Sequence, residues 1–213
     1  MSYRTLDARV WATNCLTDAE LIYAFDSDNY LEDEDTAFDA MKRANRGEAL
    51  PAERFPKEMY VAGRYYKFKK VPDIFKGGGF WVVSARFAEV LRRFELGQTG
   101  LHPVKLFHHD RKTPFEGEYF VLAFGETKDT FVPEESPKIR NIFMSKDIWG
   151  PRSSDNDNSL ALSRGVLQGV DLWMEKKMRH VFFLSDRLHQ ALNEAGLTKP
   201  LKPYRCRVVS NLH

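Results

Sequence analysis

Hydrophobic and polar positions repeat one pattern at two places in this chain. Phe80-Trp81-Val82-Val83-Ser84 leads into residues 85–96, and Val181-Phe182-Phe183-Leu184-Ser185 leads into residues 186–195. Each stretch predicts a buried strand, a serine cap and an amphipathic helix. Counted from the serines, Phe87, Val90, Leu91 and Phe94 correspond to Leu188, Ala191, Leu192 and Ala195. That is the i, i+3, i+4, i+7 stripe of a helix laid on a core. Both serine hydroxyls stand where they can accept from the amides of the first helical turn, and Asp186 adds negative charge at the second helix's positive end.

The remaining periodicity predicts strands over residues 9–15 and 21–25, with a turn between them, then a short helix over 34–44 that starts near Asp33 or Glu34 and places Ala37, Phe38 and Met41 at helical spacing. A loop with two prolines covers 47–56, and a strand resumes over 59–62. Residues 64–70, Arg-Tyr-Tyr-Lys-Phe-Lys-Lys, alternate aromatic and cationic side chains in the manner of an edge strand with one solvated face. Gly77, Gly78 and Gly79 read as a flexible entry to the first repeated phrase. Strands over 104–108 and 119–124 look antiparallel, and those over 138–143 and 170–175 flank a polar loop at 149–159. The fold class is α+β: a mostly antiparallel sheet with a few packed helices and two strand-Ser-helix units.

Four phrases in order carry a family resemblance: FWVVSARFAEVLRRF, then Leu101-His102-Pro103-Val104, then Gly117-Glu118-Tyr119-Phe120-Val121-Leu122-Ala123-Phe124, and finally VFFLSDRLHQALNEAGLT. From residue 78 to about 205 the chain resembles an immunity family of bacterial polymorphic toxin systems, typified by a myxobacterial immunity protein. It departs from the family pattern after Thr198, where Lys199-Pro200 replaces the usual glycine. The division that follows is an acidic N-terminal region over 1–76, with mixed strands and one short helix, and an immunity-family core over 77–213. The resemblance implies a non-enzymatic protein that binds one cognate toxin domain.

Charge sharpens that reading. The chain has a net charge of +2, yet residues 1–41 hold ten acids against Arg4 and Arg9, a net of −8, so the other 172 residues carry +10. Such sorting creates a local field that selects partners by sign. Asp26, Asp28, Glu32, Asp33, Glu34 and Asp35 surround Tyr30 and Leu31, and apolar anchors ringed by charge have the composition of a surface for a basic partner. The segment fails as a calcium loop, for it has no glycine at the sixth position and no bidentate glutamate at the end. Cys15 and Cys206 lie far apart with no metal or redox spacing, which points to a reduced cytoplasmic chain. No leader is legible, and no apolar run approaches the ~18 residues of a membrane span.

Enzymatic chemistry has no visible carrier. On one strand His102 and His108 would stand about 20 Å apart, too far to share a metal, and His108 and His109 would point to opposite faces. The glycine run lacks the lysine and hydroxyl of a phosphate loop and precedes a strand. No catalytic residue, metal or cofactor is therefore assigned. The leading function is neutralisation of a toxin, a basic nuclease, in a heterodimer, with Asp26, Asp28, Tyr30, Glu32, Asp33, Glu34 and Asp35 as the toxin-binding residues; a nuclease groove must be basic to hold phosphates. The competing function is direct nucleic-acid binding through residues 64–70 with Lys176, Lys177 and Arg179. A membrane partner is excluded from both readings.

Overall fold

A computed structural model describes residues 3–14, 19–66, 68–143, 146–151, 157–179 and 181–211. The elements in chain order are β1 (Tyr3–Ala12), β2 (Ile22–Tyr23), β3 (Phe25–Ser27), α1 (Asp28–Glu32), α2 (Glu34–Ala44), β4 (Glu58–Val61), β5 (Ile74–Gly77), β6 (Phe80–Ser84), α3 (Ala85–Leu91), β7 (Gly100–Phe107) and β8 (Tyr119–Ala123). They continue with β9 (Thr127–Lys128), β10 (Arg140–Phe143), β11 (Ile148–Gly150), β12 (Ala161–Ser163), β13 (Leu172–Glu175), β14 (Phe183–Ser185), α4 (Asp186–Glu194) and β15 (Tyr204–Asn211). The strands pair mostly antiparallel and the fold is α+β, as the periodicity predicts. Two compact units result: a central one, residues 19–93 and 97–125, and a terminal one, the described parts of 1–18, 94–96 and 126–213. A boundary after residue 76 falls inside β5.

The central sheet has the order β2-β5-β6-β8-β7-β4-β3. Its two outermost strands are consecutive in sequence, separated only by Ala24: β2 runs parallel to β5, and β3 runs antiparallel to β4. The sheet therefore curls round until one segment closes it, changing partner at Ala24. This is why residues 21–25, which alternate as a single strand, break in two. Phe25, Met59, Val61, Phe75, Phe80, Val82, Leu106 and Val121 fill the interior.

The terminal unit repeats this plan strand for strand. Its order is β9-β13-β14-β1-β15-β12, with β9 parallel to β13 and β12 parallel to β15, matching β2 with β5 and β4 with β7. Closure is also repeated. Just beyond β9, Phe131 bridges antiparallel to Leu162 of β12, as β3 does to β4. One strand is permuted: the place that β8 fills at the end of the central unit is taken by β1 from the start of the chain. Tyr3 lies opposite Asn211 in the β1–β15 ladder, so β1 enters where a hairpin from β15 would have led.

The repeated phrase sits at the same point in both units and is held by the same clamp. Asp73 and Asp171 immediately precede β5 and β13, and each backbone carbonyl accepts from the serine that ends the next strand, at 2.9 Å in both cases. The Ser84 hydroxyl donates to the Asp73 carboxylate (2.6 Å) and accepts from Phe87 N (3.3 Å); Ser185 donates to Asp171 (2.5 Å) and accepts from Leu188 N (3.2 Å). An arginine two residues past each serine completes it. Arg187 grips Asp171 through two nitrogens at 2.6 and 2.5 Å, whereas Arg86 stands 3.6 Å from Asp73. The helices are shorter than the stripe suggests. α3 stops at Leu91, and Glu95 instead exchanges backbone and side-chain bonds with Asp171.

Two expectations about local structure need correction. Gly78 and Gly79 (φ +55° and +82°) form the two-residue turn of the β5–β6 hairpin, which demands positive φ at both positions; they are a tight turn and not a flexible entry. A Cβ on Gly79 would also fall 1.8 Å from Met41 Sδ of α2. Residues 64–66 are no strand: Tyr66 N donates back to Gly63 O in a turn that leaves Tyr65 and Tyr66 exposed, while Phe68 packs on Tyr23, Phe25 and Phe115. Lys67 lies outside the described residues.

Phe87 and Leu188 are 2% and 0% exposed, so Phe87→Ala and Leu188→Ala should each cost about 2–5 kcal/mol in urea unfolding. The clamps should differ in strength. Asp171 is 2% exposed at its side chain and Asp73 35%, so Asp171→Ala should cost about 2–3 kcal/mol and Asp73→Ala clearly less. Burial works against the Asp171 carboxylate, but the Arg187 and Ser185 bonds outweigh it and hold its pKa below the ordinary value. Its contribution is therefore complete above about pH 4 and lost as pH falls through the lower folded value. Equal losses for the two variants, or a wild-type acid transition in Asp171→Ala, would contradict this assignment.

Candidate functional site

The acidic segment folds onto the central unit as two helices that leave directly from the closing strand. Ser27 ends β3 and caps nothing: its hydroxyl donates to Asn29 Oδ1 (2.7 Å). Asp28 turns the chain by accepting from the amides of Asn29 (2.8 Å), Lys57 (3.2 Å) and Glu58 (3.1 Å), which fixes α1 to the start of β4. Asp33 stands between the helices and N-caps α2, accepting from Thr36 N (3.0 Å) and Thr36 Oγ1 (2.7 Å). The hydroxyl bond leads the causes that hold its carboxyl below the usual range. α2 packs through Ala37, Ala40 and Ala44, and Arg54 ties it down through Asp39 (2.8 Å) and Thr36 O (3.1 Å).

The outward face is unusual in what it exposes. Tyr30, Leu31 and Phe38 are 41%, 48% and 51% exposed among the exposed carboxylates of Glu32, Glu34 and Asp35. The Tyr30 hydroxyl donates to Glu34 Oε1 (2.7 Å), and this bond first, then the charge, raises the phenol pKa. Between the helices and the β5–β6 turn lies a cleft of about 330 Å³, lined by Phe25, Asp26, Tyr30, Glu34, Phe38 and Met41, with Gly78 and Phe80 on its wall.

Of the seven residues predicted to bind, the fold brings Asp26, Tyr30 and Glu34 into this cleft and leaves Glu32 and Asp35 exposed beside it. Asp28 and Asp33 have structural work instead: one anchors α1 and the other caps α2, so they are not simply solvated charge. Sequence reasoning missed Phe38 because it grouped that residue with Ala37 and Met41; Phe38 is exposed, whereas Met41 packs against the core beside Ala40 and Ala44. The spacing of Ala37, Ala40 and Ala44 was the signal for the true buried face. It was overlooked because alanine carries little hydrophobic weight.

The other candidates do not assemble a reactive centre. His102 stacks on Phe55 (4.6 Å between centroids), with its pKa lowered by burial, and His108 stacks on Phe115 (4.1 Å). His109 Nδ1 meets Val61 O (3.2 Å), and Asp110 closes its own turn on Thr113 and Lys112; the Thr113 hydroxyl bond leads in lowering its pKa to about 2. Among the described residues no three His, Cys, Asp or Glu side chains are grouped to hold a metal ion. Cys206 is buried on β15, where burial pushes its thiol pKa up; Cys15 lies outside the described residues. No described helix is long and apolar enough to cross a membrane.

This face thus shows exposed aromatic rings beside the carboxylates of Glu32, Glu34 and Asp35, of which Glu34 is bonded to the Tyr30 hydroxyl. Residues 15–204 match a family model, that of the immunity protein family Imm11. The chain belongs to this family, and membership implies an immunity function, the binding of a cognate toxin. The match extends well before residue 78, where the resemblance begins, and takes in the whole acidic segment. No curated protein matches the chain significantly.

Because asparagine caps as well as aspartate does, Asp33→Asn should keep the helix content and melting temperature of the parent, whereas Asp33→Ala should lower both. Circular dichroism on the two variants checks this; identical losses would show that charge, and not capping, is what Asp33 supplies.

Proposed function

We propose that the protein neutralises its toxin by laying the α1–α2 face over a basic working surface, the substrate groove of a nuclease, in a one-to-one complex. The observation that carries this reading is the division of labour among the carboxylates. The carboxylates of Asp28, Asp33 and Asp39 are bonded within the central unit, while those of Glu32 and Asp35 are exposed and make no hydrogen bond or ion pair to another described residue. Such charges repel one another in the free protein and are relieved by a cationic partner. Tyr30, Leu31 and Phe38 supply the apolar area that charge alone cannot give, since aromatic anchors determine lifetime and charge mainly speeds encounter. The protein acts without catalysis, as a competitor for the phosphate-binding groove.

Reversing Glu32, Glu34 and Asp35 to Lys tests the reading; Asp28 and Asp33 are spared because they hold the fold. The triple variant should melt like the parent, associate more slowly with the toxin, and show a flattened or inverted dependence of the association rate on salt. A Phe38→Ser variant should mainly raise the dissociation rate. Unchanged protection of cells and an unchanged salt slope in the triple variant would remove the acidic face from the mechanism.

A further inference from the structure

We infer that the cleft between α1–α2 and the β5–β6 turn receives a single arginine side chain of the bound partner; this rests on the reading of the α1–α2 face as the toxin-binding surface. The cleft's size sets the first limit. At about 330 Å³ it stands at the small end of the range for ligand pockets, room for one long side chain and not for a helix or strand. Its wall sets the second. Phe25, Met41 and Phe80 offer apolar surface for an aliphatic stem, and Tyr30 and Phe38 place rings at the mouth.

Charge decides what terminates that stem. Asp26 on β3 is half-buried in the lining, and its side chain has no hydrogen bond or ion pair to another described residue, so its carboxylate is open to a cationic partner group. Glu34 lies across the cleft, and the Tyr30 hydroxyl engages its Oε1. An apolar partner side chain would cover the Asp26 carboxylate without compensation and leave Glu34 with the Tyr30 hydroxyl alone. A planar guanidinium satisfies carboxylates through paired N–H donors and stacks on aromatic faces, which a compact ammonium does less well. The Phe38 ring already has Lys42 Nζ 5.1 Å from its centroid, so cations do reach it from solvent.

The test uses capped amino acids as probes, followed by amide shifts in ¹⁵N-labelled full-length protein. N-acetyl-arginine amide should shift Asp26, Tyr30, Phe38 and Gly78 saturably, with Kd on the order of millimolar for so small a ligand. The uncharged isostere N-acetyl-citrulline amide should bind about tenfold more weakly, the loss of one charged hydrogen bond. Asp26→Asn should abolish that discrimination, and Glu32→Lys with Asp35→Lys should preserve it, separating the cleft from general acidity. Equal shifts with arginine, citrulline and norleucine derivatives, or none that saturate, would overturn the inference, as would arginine discrimination undiminished in Asp26→Asn. Protection of cells separates the two readings. If Asp26→Asn loses arginine binding and still neutralises the toxin at full strength, the cleft's arginine chemistry stands and the placement of the toxin on this face falls.

Discussion

Closure of a curled sheet is the constraint on which the rest of this structure depends. A sheet with two free edges exposes unpaired amides and carbonyls, and bending it until one segment serves both edges removes them. Each unit does this with a short segment that begins on one neighbour and ends on the opposite one, and each must let the crossing happen at the fourth residue after the clamp aspartate. In the central unit that residue is Gly77, whose absent side chain makes room: a Cβ there would lie 3.2 Å from Phe25. In the terminal unit it is Glu175, buried, which accepts from Thr130 N (2.8 Å), Thr130 Oγ1 (2.5 Å), Phe131 N (3.2 Å) and Trp173 Nε1 (3.3 Å). Burial raises the Glu175 pKa even against those bonds. One position thus carries two solutions, a void that admits an aromatic ring and a carboxylate that clasps the crossing backbone.

The permuted strand follows from the same geometry. β1 lies between β14 and β15, so the terminal unit is complete only when the first and last strands of the chain meet, whereas the central unit draws all its strands from one stretch. The two clamps then secure equivalent corners in both units, and the buried Asp171 grips its arginine more closely than Asp73 does. The family match over residues 15–204 takes in the closing strand of the central unit and the acidic helices, and leaves out β1 and all but the first residue of β15.

The strand-Ser-helix units, the cap of α2 and the antiparallel pairing of β7 with β8 were legible in the sequence because local chemistry determines them, although that ladder runs through residues 100–104 and not 104–108. A hydroxyl within reach of free amides, an apolar stripe and a turn-rich separation need no distant partner. The closure, the permutation and the clamp were not legible, for they depend on which strands meet. Nothing in Val170-Asp171-Leu172-Trp173 or Pro72-Asp73-Ile74-Phe75 signals a shared role until both aspartates are seen opposite their serines. The Arg64 to Lys70 segment misled for the converse reason: its alternation is real, but residues 64–66 form a turn instead of a strand. The candidate site was half legible. The acidic run marked the place, while the partition of its carboxylates between anchoring and exposure could only be read from hydrogen bonds.

That partition also explains how so much negative charge is tolerated. Asp28 sits where three backbone amides converge, Asp33 where a helix begins, and Asp39 beside Arg54 and Arg43; each lowers the free energy of the fold by filling a position where the backbone or a cation needs an acceptor. Glu32 and Asp35 have no such role, and Asp26 keeps a carboxylate half out of water with no donor among the described residues. Were stability the only demand, neutral polar residues at Asp26 and Glu32 would serve it better, because their charges repel the anchoring carboxylates nearby, whereas Asp35 in the first turn of α2 gains from the helix's positive end. What these residues can do is choose a partner by sign. On the proposed reading the exposed pair act at a distance, where their effect falls with salt, and Asp26 acts at contact, where a mismatched side chain is costly and a guanidinium favourable. On that reading steering and selection fall to different carboxylates of one segment, and the anchoring carboxylates Asp28 and Asp33 hold that segment to the central unit.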